Sequence, residues 1–169
     1  MNIRILTEDV SKMSDTKSYY LAYGSNLNVE QMTNRCPGAK RVGSFYLNGY
    51  RLVFRGVADF EKDTDSKLAL GLWEITEKDE KALDRYEGVN RGHYRKILWL
   101  IDFNEVKYKA LIYKMNSDSV GSPDEYYKDT IEEGFNNFNL NKKYLEESLS
   151  HAEVNSEGKS YTRQKDRSS

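Results

Sequence analysis

Tyr19-Tyr20-Leu21-Ala22-Tyr23-Gly24-Ser25-Asn26-Leu27 runs an aromatic, apolar strand straight into a Gly-Ser-Asn turn. The first five residues have the aromatic and apolar character of a buried strand. Gly, Ser and Asn supply the backbone freedom and side-chain acceptors of a tight reversal. A turn at the end of a rigid strand leaves backbone N–H groups unpaired, and such groups hold a carboxylate or a developing oxyanion. The second segment that carries chemistry is Leu83-Asp84-Arg85-Tyr86-Glu87-Gly88-Val89.

Working outward, strand signals dominate the first half of the chain. The aromatic and β-branched content predicts strands at 19–23, 41–47, 50–54, 68–75, 94–102 and 106–113. Asn48-Gly49 reads as a two-residue hairpin turn and Asn104-Glu105 as a second tight reversal. Asn28 is placed to cap a short helix through Arg35, stopped by Pro37-Gly38. Thr76-Glu77-Lys78-Asp79 has capping-box spacing and opens a helix through Tyr86, with Gly88 just past its end. Pro123 precedes a helix at 124–138, where Tyr127, Ile131, Gly134, Phe135 and Phe138 recur at helical spacing. A last amphipathic piece covers 142–150. Strands outnumber helices and are hairpin-linked, which predicts a mixed α+β fold. Its expected form is a small, mostly antiparallel sheet curled toward a barrel, with helices outside. Residues 1–17 and 153–169 read as flexible tails around one folded domain at 18–152.

Composition narrows the function classes. The chain has 169 residues, enough for one substantial core. With 26 Lys and Arg against 27 Asp and Glu, no basic excess recruits nucleic acid or anionic lipid. Cys36 is the one cysteine, so no intrachain disulfide forms, and a reducing, cytoplasmic setting is expected. No apolar run approaches the roughly 20 residues that span a bilayer. Two histidines and one cysteine give no zinc-site spacing. Cys36, before Pro37 and with no histidine near it, reads as a small packed or surface thiol. His93 reads as structural or solvent-facing, Ser25 lacks a nucleophile elbow, and Trp73 and Trp99 read as core or sheet lining.

Glu87 is the sharpest candidate. It sits at a helix end beside Gly88, flanked by Tyr86 and Val89. In an aromatic cleft a carboxylate is poorly solvated, which moves it toward the working range of a general base. Taken with Tyr23-Gly24-Ser25-Asn26-Leu27, Gly92-His93-Tyr94-Arg95 and Ser122-Pro123 followed by Tyr127 and Gly134, this segment resembles the γ-glutamylcyclotransferase family over residues 19–138. The Tyr-Gly-Ser-Asn form resembles the γ-glutamylcyclotransferase branch itself. The γ-glutamylamine branch carries Tyr-Gly-Thr-Leu there, and the glutathione-specific branch Gly-Tyr-Gly-Ser.

The resemblance implies a barrel-like α/β fold, no cofactor, a small-molecule γ-glutamyl substrate and release of 5-oxoproline by intramolecular attack. It assigns Glu87 as general acid and base. It assigns Tyr20, Leu21, Ala22, Tyr23, Gly24, Ser25 and Asn26 to the glutamyl moiety, Tyr127 as a phenol donor, and Tyr23 and Tyr94 as cleft walls. Whether Tyr126 or Tyr127 faces the pocket stays open, and a homodimer is compatible with the family. Two other readings also stay open: a non-catalytic γ-glutamyl-binding module of the same fold, and a cyclotransferase acting on a carrier-protein-bound γ-glutamyl group.

Overall fold

A computed structural model describes residues 5–6 and 17–156. Most of the two terminal segments read as tails therefore lies outside the described residues. Ile5–Leu6 (β1) is paired with Ile101 and Leu100, and the last helix runs on to Asn155. The remaining strands are β2 (Ser18–Ala22), β3 (Lys40–Phe54), β4 (Ala58–Ile75), β5 (Tyr94–Phe103) and β6 (Val106–Met115). The helices are α1 (Val29–Arg35), α2 (Glu77–Tyr86), α3 (Glu125–Asn137) and α4 (Lys143–Asn155). The architecture is mixed α+β, as the strand and helix patterns predict.

The strand order is β1-β5-β6-β2-β4-β3, and all pairings are antiparallel except β2 with β6. Among the described residues the hydrogen-bond ladder does not close, and the sheet has the mostly antiparallel form, curled toward a barrel, that the sequence predicts. Side chains bridge the curl instead of backbone. Phe103 of β5 meets Phe45 of β3 at 5.3 Å between centroids, and Trp99 packs on Tyr50 and Phe60, each at 5.5 Å.

One expectation is corrected: Asn48-Gly49 is no hairpin. β3 continues through it, with Gly49 at φ +86° and the register breaking between Asn48 and Tyr50. The partner strand makes the jump: Asn48 pairs with Lys67, whereas Tyr50 pairs with Lys62. The residues between bulge out around Asp63, whose carboxylate accepts from Asp65 N and Ser66 Oγ at 3.0 Å each. The true reversal is at Arg55-Gly56-Val57, where Gly56 takes φ +81° and Arg55 N donates to Val57 O. Residues 58–67, not read as strand from the sequence, form the near half of β4. The Asn104-Glu105 turn is as predicted, with both residues in the left-handed region at φ 51° and 65°.

The helix signals hold in detail. Asn28 Oδ1 accepts from Gln31 N at 3.0 Å, capping α1. Thr76 and Asp79 exchange both capping-box bonds at the start of α2. In α3, Tyr127, Ile131, Gly134 and Phe135 are all buried, together with Phe138 at its end. Gly134 lets α3 seat directly on the turn after β2: a Cβ there would lie 2.7 Å from Leu27 C and Asn28 N. Among the described residues, no helix is long and apolar enough to cross a membrane.

Candidate active site

β2 lies between β4 and β6, so both of its edges are paired; Tyr20, Leu21 and Ala22 are buried, and its C-terminal end delivers the Gly24-Ser25-Asn26 turn into the interior. Ser25–Leu27 form one turn of 3-10 helix, closed by Leu27 N to Gly24 O and Asn28 N to Ser25 O at 3.0 Å each. The first N–H groups of such a turn have no carbonyl within it. Trp73 Nε1 donates to Asn26 O at 3.0 Å and pins the turn to β4. Gly24 is small because it must be: a Cβ would sit 2.8 Å from Ala58 Cβ and 3.2 Å from the Tyr127 hydroxyl.

Glu87 is the residue at which α2 stops. Its N–H donates to Leu83 O at 2.8 Å, and Gly88 takes the left-handed conformation, φ 62°, that turns the chain away. The residue is 8 % exposed, a rare position for an acidic side chain. It shares a pocket with Tyr20, Tyr23, Gly24, Ser25, Asn26, Ala58, Tyr94, Tyr113 and Tyr127. The pocket is small, with about 270 Å³ of non-atom space when its open mouth is included.

The phenols are held by backbone and by one another. Tyr94 Oη donates to Ala58 O at 2.8 Å, and Ala58 N donates to Tyr127 Oη at 3.0 Å, so one residue of β4 fixes two tyrosines. Tyr23 Oη donates to Tyr113 O, and Tyr113 Oη donates to Asp84 Oδ1 at 2.7 Å. Burial pushes the phenols of Tyr20, Tyr23 and Tyr113 upward, and the charge of Glu87 adds to the shift in each. At neutral pH they are proton donors surrounding one carboxylate.

Eight of the ten residues expected at a site line this pocket: Tyr20, Tyr23, Gly24, Ser25, Asn26, Glu87, Tyr94 and Tyr127. Leu21 and Ala22 are wholly buried strand residues, paired with Leu72 and Gly71, and their side chains lie outside the lining. Tyr127 is 3 % exposed and Tyr126 62 %, which settles the choice between them in favour of Tyr127. Tyr113 and Ala58 were not read from the sequence. Their part depends on β6 and β4 flanking β2, a long-range pairing without a local signature. Cys36 is 1 % exposed with its thiol pushed up to about 12 by burial, a packed side chain and no nucleophile. His93 is exposed, in keeping with its reading.

Residues 70–148 match the AIG2-like family. That span holds Glu87, Tyr94, Tyr113 and Tyr127 but not the Gly24-Ser25-Asn26 turn. No curated protein matches the sequence. Among solved structures, one described as a gamma-glutamyl cyclotransferase superposes with a TM-score of 0.68 at 22% identity, covering 89% of this chain and 96% of that one. The crystal structure of an uncharacterised Homo sapiens protein, loc79017, gives 0.69 at 22% identity, covering 90% and 98%. YkqA from Bacillus subtilis gives 0.67 at 24% identity, covering 88% of this chain, which spans 58% of YkqA. At these identities the likeness is one of fold. It supports the family resemblance that the motifs carry.

Proposed function

The chain has the γ-glutamylcyclotransferase-like fold, and on that premise we propose that it is a γ-glutamyl cyclotransferase. It would release 5-oxoproline and a free amine or amino acid from a γ-glutamyl compound. The observation that carries the reading is one buried carboxylate, Glu87, sharing a small pocket with the N–H groups of a strand-end turn and a ring of protonated phenols.

The substrate α-amine is an ammonium at neutral pH and attacks only after losing a proton, which Glu87 accepts. The freed lone pair forms a C–N bond to the γ-carbonyl carbon, and the carbonyl electrons move to oxygen. The N–H groups of the Gly24–Asn26 turn and a phenol stabilise that oxyanion. Collapse of the oxyanion breaks the original C–N bond. The two protons lost by the attacking nitrogen end on the departing amine, with Glu87 as shuttle. The close walls of Tyr23, Tyr94 and Tyr127 hold the glutamyl chain folded, which turns attack into a positioned intramolecular step.

The test is 5-oxoproline release from a panel of γ-glutamyl dipeptides, γ-glutamyl amines and glutathione, by wild type and Glu87→Gln. The isosteric amide keeps the packing but accepts no proton, and we expect a loss of at least about 100-fold in kcat. Full activity in Glu87→Gln would sink the mechanism. No release by folded wild type would move the reading to a carrier-bound substrate or a non-catalytic pocket.

A further inference from the structure

Arg35 ends α1 outside the pocket lining, yet it is tied to the pocket through a chain of donors. Its guanidinium carbon lies 3.4 Å from the centroid of the Tyr86 ring, and Nη2 donates to Gln31 Oε1 at 3.2 Å. Nη1 donates to Asn26 Oδ1. Arginine has donors only, so the Asn26 atom it meets is the carbonyl oxygen, and the amide cannot flip without losing that bond. Asn26 Nδ2 is thereby aimed at Tyr20, donating to its hydroxyl oxygen at 3.0 Å. With the Tyr20 oxygen accepting, its single proton is not used in that contact. Tyr20 and Glu87 line the same pocket.

We propose that Arg35 is a positioning residue: acting through Asn26, it fixes the Tyr20 phenol as a hydrogen-bond donor into the pocket. Reversing the first link reverses the last. With no cation at position 35 the Asn26 amide is free to rotate and present Oδ1 to Tyr20, which then donates away from the pocket. Burial and the nearby Glu87 charge keep Tyr20 protonated, so a proton is there to aim. The kinetic consequence rests on the cyclotransferase reading, whereas the geometry does not.

The experiment uses the full chain labelled with 13C at tyrosine Cζ, with the Tyr20 resonance assigned by Tyr20→Phe. Arg35→Met should shift the Tyr20 resonance and leave that of Tyr50, which does not line the pocket, in place. Arg35→Lys, which keeps a cationic donor, should restore the wild-type position. In 5-oxoproline release, Arg35→Met should lower kcat by up to about 100-fold with KM changed less. It should have little further effect in a Tyr20→Phe background, because the two act as one unit. An unmoved Tyr20 resonance in folded Arg35→Met overturns the proposal whatever the activity. A moved resonance with no release by wild type supports the relay and overturns turnover of free γ-glutamyl compounds. Equal losses from Arg35→Met in wild-type and Tyr20→Phe backgrounds overturn the coupling.

Discussion

Tyr126 and Tyr127 are neighbours with opposite fates, and substituting each separates burial from identity. The Tyr127 hydroxyl accepts from Ala58 N inside the pocket, whereas Tyr126 accepts from Gln31 Nε2 at the surface. Tyr127→Phe leaves a buried N–H without its acceptor, so we expect a loss of about 1–3 kcal/mol in urea unfolding together with reduced 5-oxoproline release. Tyr126→Phe should stay within about 0.5 kcal/mol and keep its activity. Equal effects from the two would mean that the pocket-facing phenol is misassigned. Helical phase separates them, because Tyr127 lies on the same face as Ile131 and Gly134 and Tyr126 does not. The helical spacing was legible in the sequence, but the choice between the two neighbouring tyrosines stayed open until burial decided it. The contribution of Ala58 was not legible, since a small apolar residue offers no chemistry of its own and acts here through its main chain.

At the scale of elements, α3 and the turn after β2 are held together by the absence of a side chain. Gly134 is inside a helix, where alanine is ordinarily favoured by about 1 kcal/mol. Here a Cβ would lie 2.7 Å from main-chain atoms of Leu27 and Asn28, which cannot rotate aside. Gly134→Ala is therefore expected to destabilise by about 1–3 kcal/mol, read as a fall in Tm, and to lower activity by displacing Tyr127. A rise in Tm would mean that α3 does not rest on the turn. Capping signals were legible because they are local: Asn28, Thr76 with Asp79, and Gly88 each act within one helical turn. Asn48-Gly49 misled for the complementary reason. Its left-handed glycine is real, but whether such a residue reverses a strand or kinks it depends on the partner, and here the partner bulges around Asp63.

Across the whole molecule, charged side chains are gathered behind the pocket where β3, β4, β6 and α4 meet. Asp59 is fully buried and accepts from Arg55 Nε at 2.7 Å and Lys114 Nζ at 2.6 Å. Arg55 and Arg51 both reach Glu61, and Arg51 Nη2 lies 2.9 Å from His151 Nε2. Burial alone raises the Glu61 carboxyl, but the two arginines hold it below its usual value. Arginine only donates, so His151 Nε2 accepts and the ring is neutral. Burial, then the charge of Arg51, hold His151 below its ordinary value. The unfolded chain binds this proton near pH 6.5 while the folded one does not, so stability falls as pH drops below about 6.5. His151→Gln should lose less Tm than wild type between about pH 7 and about pH 5; an identical loss would remove His151 from the account. Asp59 is the residue after Ala58, so this network also braces the strand that fixes Tyr94 and Tyr127. The sheet order has a bearing on when the pocket comes into being. Two hairpins, β3–β4 and β5–β6, pair residues close in the chain, but β2 bridges them and meets β6 only through partners some ninety positions away, as Tyr20 does Leu111. During synthesis, a nascent chain would therefore carry the Gly24–Asn26 turn and Glu87 long before Tyr113 and Tyr127 emerge to wall them in. The pocket would be completed late, once β6 has paired with β2 and α3 has seated on the turn.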